Sequence, residues 1–227
     1  NGGAASYANE GGAIHSTGAL LLNRVTITGS QTSVGGAAIA ITAMPSAAAM
    51  QIFESTLSNN SSLGGSAIYF APGLAANLLI NRSTFAGNVG SSGPGAIFVS
   101  GAGVVMNIVN STFSNNSATN TASPDAIGVY SSASLFVRFS TFSGHDNSTA
   151  ASTTGVLHAA SSSQITMQGS VIANNIRTGG GSARECTASS ASFVGTSNYT
   201  ADTVCPGRVA TPIFVSTTLA NNGGPTQ

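Results

Sequence analysis

The sequence predicts an all-β chain wound as a parallel β-helix, a solenoid of about six coils of 28–30 residues each. Three observations predict it. A Gly-rich start followed by Ala-Ile recurs along the chain, a Ser-Thr-Phe-like motif follows each copy, and apolar residues alternate with polar or small ones around the second motif.

The first motif reads Gly11-Gly12-Ala13-Ile14, Gly35-Gly36-Ala37-Ala38-Ile39, Gly64-Gly65-Ser66-Ala67-Ile68, Gly95-Ala96-Ile97 and Ala126-Ile127, with a weaker copy at Gly155-Val156-Leu157. The second reads Thr26-Ile27-Thr28-Gly29, Ser55-Thr56-Leu57-Ser58-Asn59-Asn60, Ser83-Thr84-Phe85-Ala86-Gly87-Asn88, Ser111-Thr112-Phe113-Ser114-Asn115-Asn116, Ser140-Thr141-Phe142-Ser143-Gly144-His145 and Ser170-Val171-Ile172-Ala173-Asn174-Asn175. Its central apolar residues, at 27, 57, 85, 113, 142 and 172, are 30, 28, 28, 29 and 30 positions apart. That interval is one coil of a stacked repeat.

Around the Ser of the second motif the period is two, so the flanking segments are strands. Three residues before it stand Leu22, Ile52, Ile80, Ile108, Val137 and Met167; five before stand Leu20, Met50, Leu78, Met106, Leu135 and Ile165. With the central apolar residues and the Ile of the first motif they form four inward columns. Stacked about 4.8 Å apart in parallel strands, these columns build one continuous core. Gly and Ser/Asn clusters supply the turns.

A column of amides, Asn60, Asn88, Asn116 and Asn175, has Ser30 and His145 in the other two coils. A side-chain amide donates and accepts, so it can bond its neighbours above and below and form a ladder. Asn-X-Ser/Thr sequons start at Asn59, Asn60, Asn81, Asn110, Asn115, Asn147 and Asn198. The repeat itself generates them, and glycosylation is the alternative reading.

Composition limits the partners. Charged residues make up 5% of the 227, lysine is absent and the formal net charge is zero, so no basic face exists for a phosphate backbone. Apolar residues make up 41%, enough to bury a core. No run approaches about 18 apolar residues, so no helix here spans a membrane. The sequence starts in mid-pattern, which predicts a longer parent chain.

Residues 1–180 are read as the coils and 181–227 as an irregular C-terminal coil or cap. Cys186 and Cys205 bracket a polar segment there. A disulfide closing it suits a secreted protein, because such bonds persist in oxidising compartments; two free buried thiols are the alternative. No His or further Cys lies nearby to complete a metal site.

Gly-Gly-Ala-Ile followed by Phe-x-x-Asn is similar to the polymorphic outer-membrane protein repeat of bacterial surface proteins and autotransporter passengers. The stretch from Cys186 to Cys205, with Gly195 and Asn198-Tyr199 between, then Leu219-Ala220-Asn221-Asn222-Gly223-Gly224-Pro225-Thr226-Gln227, resembles the end of bacterial choice-of-anchor β-helix proteins. The resemblance implies a right-handed parallel β-helix at the cell surface or outside it, with an anchoring segment beyond.

Function then sits on outward side chains. The acids Glu10, Glu54, Asp125, Asp146, Glu185 and Asp202 occupy no shared or neighbouring columns, so no carboxylate pair for glycoside hydrolysis is expected. His15 and His158 share a column five coils apart, on the order of 24 Å, too far to share a metal. His145-Asp146 reads as a turn His replacing the ladder Asn rather than as a catalytic pair. Arg24, Glu54 and Arg82, aligned in successive coils, read as a surface charge ladder.

Two outward arrays remain. Tyr69 and Phe98 share a column in adjacent coils, with Tyr130 offset by two positions in the next, a strip suited to sugar rings or a partner protein. Thr26, Thr56, Thr84, Thr112 and Thr141, flanked by Thr28, Ser58, Ala86, Ser114 and Ser143, resemble an ice-binding face but are more simply β-favourable solvated positions. The expectation is an extracellular structural or adhesive module that needs no cofactor or metal. Its partners would be carbohydrate or a host or cell-surface protein. A carbohydrate-active enzyme (lyase or hydrolase), an end-to-end filament subunit and an ice-binding protein are the alternatives.

Overall fold

A computed structural model describes residues 4–5, 11–65, 67–146, 153–178, 184–200 and 202–209. Glu10, Ser66, the sequon at Asn147 and the Leu219–Gln227 motif lie outside them. The described chain is all strand and turn, wound as a parallel β-solenoid of about six turns. Each turn visits three long parallel sheets, and the turns up to Ala118 also visit a fourth. The first runs from Ile14–Ser16 to Cys186–Ser189, the second from Leu20–Asn23 to Ser192–Thr196, and the third from Thr26–Thr28 to Asn198–Thr200 and Arg208–Val209; a short fourth runs from Ala4–Ala5 to Ser117–Ala118.

The inward columns stack in register. Ile39, Ile68, Ile97, Ile127 and Leu157 pair in sequence. So do Met50, Leu78, Met106, Leu135 and Ile165, and Leu57, Phe85, Phe113, Phe142 and Ile172. All are fully buried. The three phenylalanine rings overlap face to face, 4.8 Å from Phe85 to Phe113 and 4.7 Å from Phe113 to Phe142, so ring stacking follows strand spacing.

Left-handed backbone turns the chain between the first and second sheets, at Ala47, Gly73, Gly103, Ser132 and Ser162, and at two further corners per coil that lead into polar columns. One precedes the Ser column, at Arg24, Glu54, Arg82, Asn110, Phe139, Gly169 and Ser197; the other precedes the Asn column, at Gly29, Asn59, Gly87, Asn115, Gly144 and Asn174. The second corner uses only Gly and Asn, the residues that enter this region at least cost. The first imposes it on Arg, Glu and Phe, with φ of 57°, 49° and 51° at Arg24, Glu54 and Phe139.

The corners before the Ser and Asn columns are each followed by a buried polar ladder. In the amide ladder, Asn60 and Asn88 donate their backbone N–H and Nδ2–H to Oδ1 of the Asn one coil on, at 2.8–3.1 Å. Nδ2 of Asn60, Asn88 and Asn116 also donates back to Ile27, Leu57 and Phe85 O. At the other corner, Ser55, Ser83, Ser111 and Ser140 each donate N–H to the next Ser Oγ, and Ser170 donates to Asn198 Oδ1, all at 3.1–3.2 Å. The hydroxyls of Ser55, Ser83, Ser111, Ser140 and Ser170 donate to the carbonyl two residues back. Buried backbone groups at the corners therefore keep partners without water.

His145 stands in the amide ladder. Its N–H donates to Asn175 Oδ1 (3.0 Å), and its Nδ1 lies 3.2 Å from the Asn116 N–H and 3.0 Å from the Asn116 carbonyl oxygen. The neutral ring meets one of these contacts or the other, according to which nitrogen carries the proton. Burial lowers the His145 pKa from 6.5 to about 4. A depressed histidine pKa means that the unfolded chain binds the proton more readily, so stability is full above about pH 6.5 and falls toward pH 4. The cost reaches about 3 kcal/mol. Chemical denaturation of wild type and His145→Asn across this range should show the difference growing as pH falls; parallel curves would contradict it.

In-register stacking continues beyond residue 180. Cys186, Phe193, Gly195 and Thr200 sit opposite Leu157, Ile165, Met167 and Ile172. Only Phe193 keeps a large apolar side chain in its column, so the coil persists where its repeat signature has faded.

Candidate functional site

The outward face of the first sheet carries a continuous ring stack. Tyr69 pairs with Phe98, and Phe98 with Gly128. Tyr69 and Phe98 lie 4.7 Å apart, 4° from parallel. At that spacing coplanar rings would collide, so the faces overlap and the stack offers mostly ring edges outward, not the flat platform expected. Tyr130 has folded over Gly128, where a Cβ would fall 2.6 Å from its ring. That brings it 5.0 Å from Phe98 and 6.0 Å from His158, which extends the array by one ring. Burial raises the Tyr130 pKa to about 12 and lowers that of His158, whose Nδ1 lies 2.9 Å from Thr187 Oγ1.

Grooves flank both ends of the stack. One, about 240 Å³, is lined by Ser33, Val34, Gly35, Thr42, Leu63, Gly64, Tyr69 and Ser92. The other, about 740 Å³, includes Thr154, His158, Arg184, Thr187, Asp202 and Val204.

The acids are less scattered than their columns imply. The loop from Cys186 to Cys205, whose Cα atoms stand 5.1 Å apart at disulfide geometry, returns Asp202 to Glu185. Asp202 accepts backbone N–H groups from Glu185 (2.9 Å), Cys186 (3.2 Å) and Val204 (2.9 Å), and the Thr200 hydroxyl donates to Glu185. Burial raises the Glu185 pKa against the lowering effect of the Thr200 bond. The acids share no column, yet a 17-residue return outside the column pattern sets Asp202 beside Glu185. Both oxygens of Asp202 are engaged in pinning the loop. Replacing both cysteines by Ser should cost about 3 kcal/mol, from the 19-residue loop they close. Amide exchange should then quicken in 186–200 while Ile39–Ile41 keeps its protection; uniform loss along the chain would contradict this local role.

Elsewhere, Glu54 accepts Arg24 Nε at 2.9 Å and also bonds Arg82, completing the charge ladder; the Arg24 bond is the main cause of its lowered pKa. Asp146 accepts the Thr178 N–H (2.9 Å) and hydroxyl. His15 and His158 share one column through five pairings, and His15 Nε2 lies 3.1 Å from Thr42 Oγ1. On the third sheet, Thr84, Ser114 and Ser143 are almost fully buried, so the Thr array is not a uniformly open face. Asn60 and Asn198 are fully buried and have no room for a glycan in the folded chain.

Among the described residues no group of three or more His, Cys, Asp or Glu is placed to hold a metal ion, and no helix is long and apolar enough to cross a membrane. Sequence reasoning missed the Ser ladder, although Ser recurs in five coils, and the folding of Tyr130 over Gly128. Comparison with protein-family models, curated proteins and solved structures gives no match for this chain.

Proposed function

We propose that the chain is part of an extracellular adhesive or structural module, of the bacterial surface β-helix kind that its repeats resemble, and that it meets its partner through the outward face of the first sheet. One observation carries this reading: the Tyr69–Phe98–Tyr130–His158 array, continuous over four coils and flanked by two grooves. Aromatic side chains bring large contact area at low entropy cost, which suits them to glycans and protein partners alike. The stacked core behind this face supplies a rigid support.

A second reading, a carbohydrate-active enzyme, draws on the larger groove, where His158, Arg184 and Asp202 converge beside the buried Glu185. One experiment separates the two. The purified chain is incubated with a panel of polysaccharides and surface glycoproteins while retention and product release are both followed. The adhesive reading expects retention without turnover; sustained release of reducing ends or unsaturated uronates, abolished by His158→Ala, favours the enzyme and sinks the proposal.

A further inference from the structure

The ring stack has a defined end. Phe98 covers one face of Tyr69; toward the preceding coil Tyr69 pairs with Ala40, which has no ring, and Gly35 of that coil packs against its Cγ and Cδ2. The 240 Å³ groove opens against Tyr69 at this end. One wall is made of turns stacked from three coils, where Gly64 N–H donates to Val34 O (2.6 Å) and Ser92 N–H to Leu63 O (2.6 Å). Thr42 also lines the groove, its hydroxyl 3.1 Å from His15 Nε2. Gly35 lies directly against the Tyr69 ring, where a Cβ would fall 2.6 Å from Cδ2.

We infer that this groove binds one neutral pyranose ring of a glycan, its apolar face against the part of the Tyr69 ring that Gly35 leaves uncovered. The inference rests on the adhesive reading and specifies its ligand. Three features choose the occupant. The groove is smaller than the roughly 300–1,000 Å³ of pockets for drug-sized ligands, so it takes one ring, not an extended group. Its lining has no charged residue, so nothing there offsets the desolvation of a uronate or phosphate. It combines an aromatic face with hydroxyls at its rim (Ser33, Thr42, Ser92), which matches a ring whose C–H groups lie on one face and whose hydroxyls lie at its edge.

Saturation-transfer NMR with the methyl glycosides of glucose, galactose and mannose tests this, with benzyl alcohol as a ring probe lacking sugar hydroxyls. At least one glycoside should receive saturation on its ring C–H protons, and added salt should leave the signal unchanged. Tyr69→Ala should weaken binding about tenfold. Ser33→Trp, which fills the groove from an exposed position and leaves the stack intact, should abolish it. Phe139→Asn, on a distant corner, should leave binding unchanged. The inference is overturned if no glycoside responds, if only benzyl alcohol does, or if the response survives Ser33→Trp. Retention on a glycoprotein surface that persists in Ser33→Trp sinks this site while leaving the adhesive reading in place.

Discussion

Replacing Asn88 by Leu should destabilise the chain by about 3–6 kcal/mol, although the two side chains have the same heavy-atom count and branching. The Asn60 N–H and Nδ2–H both lose their acceptor, and Leu57 O loses its donor. Asn88 is fully buried, so water cannot replace these partners. Each orphaned buried group costs about 1–3 kcal/mol, far more than the net worth of a satisfied bond. Asn107, on the half-exposed outward side of the second sheet, is the control: Asn107→Ala should stay within about 0.5 kcal/mol. Urea denaturation of both variants checks the contrast, and equal effects would mean that the amide ladder carries no special share of stability.

Phe113→Ala should cost about 3–5 kcal/mol. The ring is fully buried between Phe85 and Phe142, so its removal opens a cavity and breaks two face-to-face contacts. Strands locked in register above and below cannot close the gap without losing their own pairing. Phe113→Leu, which restores the residue type found at Leu57, should recover most of the loss. Thermal unfolding of the two variants tests this; a small effect for Phe113→Ala would show a core able to collapse, contrary to rigid stacking.

What was legible in the sequence follows from the geometry of a parallel stack. Leu57, Phe85, Phe113 and Phe142 face inward because strand side chains alternate, and register repeats that choice in each coil. The amide ladder was legible because one residue type bonds to itself. The left-handed corners at Arg24, Glu54 and Phe139 were not, because stacking imposes their backbone and their side chains do not favour it. The meeting of Glu185 with Asp202 was hidden for another reason: it depends on a loop closed across the end of the coils, outside the column pattern. At the candidate surface the residues were legible but their posture was not. Tyr69, Phe98 and Tyr130 are the expected aromatics, yet strand spacing stacks them face on face and leaves Tyr69 without a ring partner toward the preceding coil.

The ladders and inward columns hold the fold, which leaves the ring stack outside available for the proposed contact. The most direct measurement combines Tyr69→Ala, Phe98→Ala and Tyr130→Ala in one chain, and reads both its urea unfolding midpoint and its retention on glycoprotein surfaces. The account predicts a cooperative transition close to that of wild type with retention lost. Retention left intact, or lost only because the chain no longer folds, would contradict it.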